Sequence, residues 1–257
     1  IMPTEFSGGD ILVEADSLSG LLIPDAHCGT HCTVNSLITG SIEDVEFRSL
    51  FFTCQSDTPC IDAEIDGDLK FVGAWPSTEI YTNGTFARLR GTGAVHANQL
   101  SLSSNGALFD VSGSGEVNID DSTLSFENGG TLSGWSFNVN DTILVAQENG
   151  LVLLDVDATI SSVEIARSFS SSDSTSVGLR AVWSDILIDD VSITGWHEGV
   201  RCESECSISG DELTAGGGGR NSGSGVTIDG GSMVVDTLDI SASDVGIHIV
   251  DGMLHVG

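Results

Sequence analysis

Apolar residues in this chain recur at every second position. The runs Gln99–Val111 (QLSLSSNGALFDV), Ser122–Phe126, Ser162–Ala166, Asp190–Thr194 and Thr237–Ser241 alternate apolar and polar side chains. Gly, Asn, Ser and Asp separate them, as expected of turns. Helical spacing at i, i+3, i+4, i+7 is nowhere sustained, so the expected class is all-β.

The runs recur in order. Val191-Ser192-Ile193 is followed after a short turn by Gly199-Val200-Arg201-Cys202, and 47 residues later Leu238-Asp239-Ile240 is followed by Gly246-Ile247-His248-Ile249. A copy lies between them, Leu213-Thr214-Ala215 and Gly225-Val226-Thr227-Ile228, and an earlier one reads Val163-Glu164-Ile165 and Gly178-Leu179-Arg180-Ala181. The glycine-to-glycine steps are 21, 26 and 21 residues, the long step holding the glycine-rich loop Ala215–Gly225. Leu100–Leu102 and Gly106–Leu108 read as a looser copy, with Leu124 aligned 24 residues after Leu100. A period of this length with short strands predicts a solenoid, in which each coil buries its apolar residues only by stacking on its neighbours. Val191, Ile193 and Cys202 are expected inward, and Ser192 and Arg201 outward. The recurring glycine is expected at a corner needing positive φ or close backbone approach. A β-sandwich would explain the short strands but not the in-register recurrence.

This coil pattern, clearest over residues 61–257, resembles the right-handed parallel β-helix family of pectate lyases, polygalacturonases, phage tailspikes and many bacterial and archaeal surface proteins. The resemblance implies a single-stranded right-handed parallel β-helix with coils of about 20–25 residues. Residues 1–60 are less regular and are expected to form N-terminal, disulfide-tied coils. The coil pattern still runs at Gly257, which predicts continuation of the helix or head-to-tail stacking of another copy.

Charge narrows the partners. The chain has 38 acidic and 8 basic residues, a formal net charge of −30, with 40% hydrophobic residues. That is too apolar for a disordered acidic tail. Such a surface repels nucleic acid and anionic membranes, so neither is an expected partner. It suits a halophilic or marine medium, and its carboxylates are compatible with calcium; no other cofactor is expected. No run of 18 apolar residues exists, so no membrane insertion is expected within this segment.

Six cysteines fall in three close pairs, Cys28/Cys32, Cys54/Cys60 and Cys202/Cys206. An even count in local pairs favours disulfides and an oxidising, extracellular or cell-surface location. Six cysteines allow about 15 pairings. For Cys202 and Cys206, an extended strand would hold the Cα atoms about 13 Å apart. A disulfide therefore requires a tight corner through Glu203-Ser204-Glu205. Asn83 and Asn140 begin sequons, compatible with a glycoprotein.

Residues that invite a catalytic reading each have a plainer one. Asp189/Asp190, Asp120/Asp121 and Asp66/Asp68 could pair across coils as acid and base, but 38 acidic residues make such pairs common, and solvated turns account for them. The polygalacturonase motifs Asn-Thr-Asp, Gly-His-Gly and Arg-Ile-Lys are absent. Arg180 and Arg201 match one coil apart and could form an anion spot, or simply pair with neighbouring carboxylates. His27, Cys28, His31 and Cys32 are metal ligands by type but lack zinc-site spacing, so a Cys28–Cys32 disulfide is simpler. His197 and Glu198 align with a turn of free composition. Trp75, Trp135, Trp183 and Trp196 could stack on sugars, but Trp183 and Trp196, read as lying in successive coils, are not one period apart.

The expected function is therefore an extracellular structural or binding β-helix: a segment of a surface adhesin, stalk or self-assembling fibre. Its binding surfaces would be the lateral face and the loops Ser168–Ser176 and Gly216–Gly225, and its partners cell-surface glycans or further copies of itself. A carbohydrate-active enzyme, hydrolase or lyase, is the main alternative, and a phage tailspike-like fragment a third. No catalytic residue stands out.

Overall fold

The computed structural model describes residues 13–18, 21–23, 32–34, 38–48, 51–54, 57–72, 78–168, 175–217, 223–242 and 244–257. Outside the described residues lie Cys28, His27, His31, Trp75, Arg220 and most of the two proposed binding loops; the side chains of Cys32 and Arg48 also lie outside them.

The described strands form one all-parallel ladder, a β-solenoid, because each stretch of strand pairs with the equivalent stretch one coil away. Each coil has three faces. The first is exemplified by Val177–Val182, Glu198–Glu203 and Ser224–Asp229. The second runs through Asp157–Ser161, Asp185–Asp189 and Ser207–Gly210. The third holds Val163–Ala166, Val191–Thr194 and Leu213–Gly217.

Register follows the recurrence. Val163, Val191, Leu213 and Leu238 stack in one inward column, and Leu179, Val200, Val226 and Ile247 in another. Cys202 stacks between Ala181 and Ile228 and is fully buried. The looser copy is corrected: Leu102, not Leu100, pairs with Leu124, an offset of 22 residues. Opposite Leu100 stands Ser122, buried at a corner, where its hydroxyl accepts from the Leu100 N–H at 3.1 Å and donates to the Asp120 carbonyl at 2.7 Å. A polar residue thus occupies an inward site and shifts the visible apolar pattern by two.

The corners explain the turn residues. Between first and second faces, Gly91, Gly113, Gly134, Asp155, Trp183, Ser204 and Gly230 occupy equivalent positions, all at positive φ. Between second and third faces, Gln99, Asp121, Asp141, Ser162 and Asp190 do the same, at φ 46–55°. The glycines opening the first face answer to crowding instead. A Cβ on Gly178, Gly199 or Gly225 would lie 2.8, 2.6 or 2.9 Å from the carbonyl oxygen of the next glycine in the column. None of the three has positive φ, so close approach is the reason for glycine here.

Candidate functional site

The second face presents three outward columns. Glu116, Ser136, Asp157, Asp185 and Ser207 form one, with Asp157 paired to Asp185 and Asp185 to Ser207. Asn118, Asn138, Thr159, Leu187 and Ser209 form the next. Asn98, Asp120, Asn140, Ser161 and Asp189 form the third. Alternation puts each of these side chains outward because its neighbours Val139, Ile160, Ile186 and Ile188 turn inward. The first two columns, Asn118 excepted, line an open cleft of about 460 Å³ spanning five coils, from Glu116 to Ser207.

The polar side chains at the N-terminal side of this face satisfy one another. Asn138 donates to Glu116 at 2.8 Å and to Asn118 at 2.9 Å. Asn98 and Asn140 both donate to the Asp120 carboxylate, at 3.0 and 2.9 Å, giving an amide–carboxylate–amide ladder. Asp157 and Asp185 are exposed and take part in none of the ion pairs among the described residues.

The first face carries Arg88, Arg90, Arg180 and Arg201, each engaged. Arg90 pairs with Asp62 at 2.6 Å and Arg88 with Asp110 at 2.9 Å. Arg180 and Arg201 share Glu203, at 2.8 and 2.6 Å, and Arg201 also reaches Glu198 at 3.2 Å. Burial pushes the Glu203 carboxyl up, but the hydrogen bond from Arg180 and the charges of both arginines outweigh it and hold it below its ordinary range. Burial likewise works against the Arg201 charge, and the Glu198 and Glu203 carboxylates more than offset it, raising its pKa. The matching arginines are therefore neutralised and offer no anion site. Glu198, expected at a turn of free composition, is instead buried and held by Arg201 and by the Ser224 hydroxyl at 3.2 Å. An acidic residue inside an otherwise turn-like stretch was the only sequence sign of it.

The acidic pairs singled out in the sequence form no catalytic constellation. Asp121 and Asp190 are positive-φ corner residues, Asp189 accepts from Ser161, and Asp68 pairs with Lys70 at 2.7 Å. No group of three His, Cys, Asp or Glu among the described residues is arranged to hold a metal ion. Trp135 and Trp196 are core residues, the latter donating its indole N–H to the Ile165 carbonyl. Trp183 and Trp196 lie in one coil, between Gly178 and Gly199, not in successive coils. Trp183 stands at the corner two residues before Asp185 and is 61% exposed. Its exposure was not legible from spacing.

Cys54–Cys60 and Cys202–Cys206 are disulfide-bonded, with Cα atoms 5.6 and 5.5 Å apart. The second closes the corner where Ser204 and Glu205 take positive φ. Asn83 and Asn140 are both exposed, Asn140 with its amide engaged by Asp120 and Asp141. No helix among the described residues is long and apolar enough to cross a membrane.

No known protein family matches the chain, and no curated protein matches it. Among solved structures, the A-module of the mannuronan C-5 epimerase AlgE4 of Azotobacter vinelandii is similar over 92% of this chain and 90% of its own, at 10% identity and a TM-score of 0.31. The surface protein and adhesin PfbA of Streptococcus pneumoniae is similar over 93% of this chain and 91% of its own, at 8% identity and a TM-score of 0.23. At such values neither protein's activity transfers to this chain.

Proposed function

We propose that this chain is an extracellular or cell-surface binding β-helix, a segment of an adhesin, stalk or fibre, whose second face holds a glycan. The observation that carries this is the lateral cleft: a rigid, open surface spanning five coils, lined by hydroxyls, an amide and carboxylates. Polyhydroxylated chains are recognised by such arrays of small polar groups on a pre-formed backbone, which costs little ordering on binding. The two disulfides support an oxidising compartment.

A glycan-array screen of the purified chain tests the proposal, with Thr159→Arg as a cleft-filling control. Binding to a defined set of glycans, lost in Thr159→Arg, is the expected result. Retention of no glycan, or binding indifferent to Thr159→Arg, overturns it.

One observation favours an enzyme as a second reading. Asp157 and Asp185 are register partners on adjacent coils, so their backbones stand about 4.8 Å apart. That spacing lets the two carboxyl groups come within the roughly 5–5.5 Å of a retaining glycosidase pair. Both are exposed, however, and the cleft is open rather than enclosing. Turnover assays on the array hits separate binder from enzyme.

A further inference from the structure

We propose that the cleft selects an amine-bearing, cationic glycan and that Trp183 is the platform on which one of its rings stacks. This rests on the reading of the chain as a glycan binder and adds the chemical class.

Trp183 is out of place by every structural criterion. Its corner column otherwise holds Gly91, Gly113, Gly134, Asp155, Ser204 and Gly230, residues that tolerate positive φ or bond locally. An indole at φ 50° is disfavoured there by about 1 kcal/mol or more. It gains little packing in return, since it is 61% exposed. The corner column Asp155–Trp183–Ser204 runs alongside the cleft column Asp157–Asp185–Ser207, two or three residues further along each coil. Leu187, 52% exposed, adds an apolar spot on the cleft floor in the same coil. A flat, exposed apolar ring on the column next to hydroxyl and amide groups matches a pyranose ring, which has an apolar C–H face and a polar rim.

Charge then decides which sugar. Asp157 and Asp185 are stacked one coil apart, exposed and outside every described ion pair. Two carboxylates at that spacing repel, and a cation between them removes the repulsion. The cations of the first face are committed to their own carboxylates. A uronate polymer would add negative charge to a chain already at −30. A protonated amino sugar instead places an ammonium against Asp157 and Asp185, and its charge also favours the face of Trp183.

Calorimetric titration of the full chain at pH 6 tests this with three oligosaccharides of equal length: a glucosamine oligomer, its N-acetylated form and an oligogalacturonate. The glucosamine oligomer is expected to bind at least tenfold more tightly than the N-acetylated form, and the galacturonate not at all. Trp183→Ala and the double substitution Asp157→Asn/Asp185→Asn are each expected to weaken binding at least tenfold, the second also flattening its salt dependence. Equal binding of the N-acetylated form, or preference for the galacturonate, overturns the cationic class while leaving the chain a glycan binder. Absence of binding by all three, together with an empty glycan array, overturns both proposals. A lysine pentapeptide that binds as tightly as the glucosamine oligomer and ignores Trp183→Ala marks plain charge attraction, and also overturns the inference. Circular dichroism verifies that the variants fold; if one does not, the order of the three sugars on the unaltered chain still decides.

Discussion

The first and second faces are built on the same coils, stacked in the same way and filled by the same kind of inward residue, yet their outer surfaces differ in kind. On the first face the arginines meet carboxylates on their own or neighbouring coils, and Arg180, Glu203, Arg201 and Glu198 form one continuous ion-pair chain. On the second face the central carboxylates Asp157 and Asp185 have no such partners, and small residues leave a cleft. The lesson is one of separation. Inward columns are constrained by stacking, whereas outward columns cost the fold little and are free to differ from face to face.

The sharpest way to break this comparison is to violate both interiors. Val200→Asp on the first face and Ile186→Asp on the second each bury a carboxylate with no partner. Both are expected to cost about 3–5 kcal/mol, to a similar extent, as read from urea unfolding midpoints. A large difference between them would show that the faces are not equivalent inside.

Outward substitutions are expected to separate the faces. Glu203→Gln removes the carboxylate shared by two arginines and should cost about 1–2 kcal/mol at neutral pH. Asp185→Asn should stay within about 0.5 kcal/mol. Acid titration sharpens the point. Glu203 is held below its unfolded value, so its contribution is complete above about pH 4.3 and is lost as pH falls through the lower, folded value. In Glu203→Gln that part of the acid destabilisation should be missing, whereas Asp185→Asn should leave it in place; indistinguishable acid limbs would remove the contrast.

The smallest expected effect has the opposite sign. Trp183→Gly relieves a bulky residue at positive φ and should raise stability by about 0.5 kcal/mol. A loss of 1 kcal/mol or more in thermal unfolding would mean that the indole packs against the corner and serves the fold rather than a ligand.

The recurrence of Val191–Ile193 in Leu213–Ala215 and Leu238–Ile240 was readable in the chain because inward positions must be apolar in every coil. The slip at Leu124 shows the limit of that signal. Alternation of period two is blind to a shift of two residues, and a buried hydroxyl at Ser122 supplied the shift. The cleft was not readable at all. Its column joins Asp157 to Asp185 across 28 residues but Asp185 to Ser207 across 22, because one coil carries a longer loop. Nor did spacing distinguish Trp183 from Trp135 and Trp196, since all three lie at or beside corners where alternation breaks.

By itself, then, the chain specified a parallel stack: period, inward residues, the glycine before each first-face strand and the corner at Cys202–Cys206. These follow from local geometry and from burial repeated coil after coil. Which outward side chains become neighbours was decided only in the tertiary structure. Variable loop lengths bring residues 20 to 28 apart into one column, and only that stacking sets Asp157 beside Asp185, Glu203 between two arginines and Trp183 between Asp155 and Ser204 on the corner column.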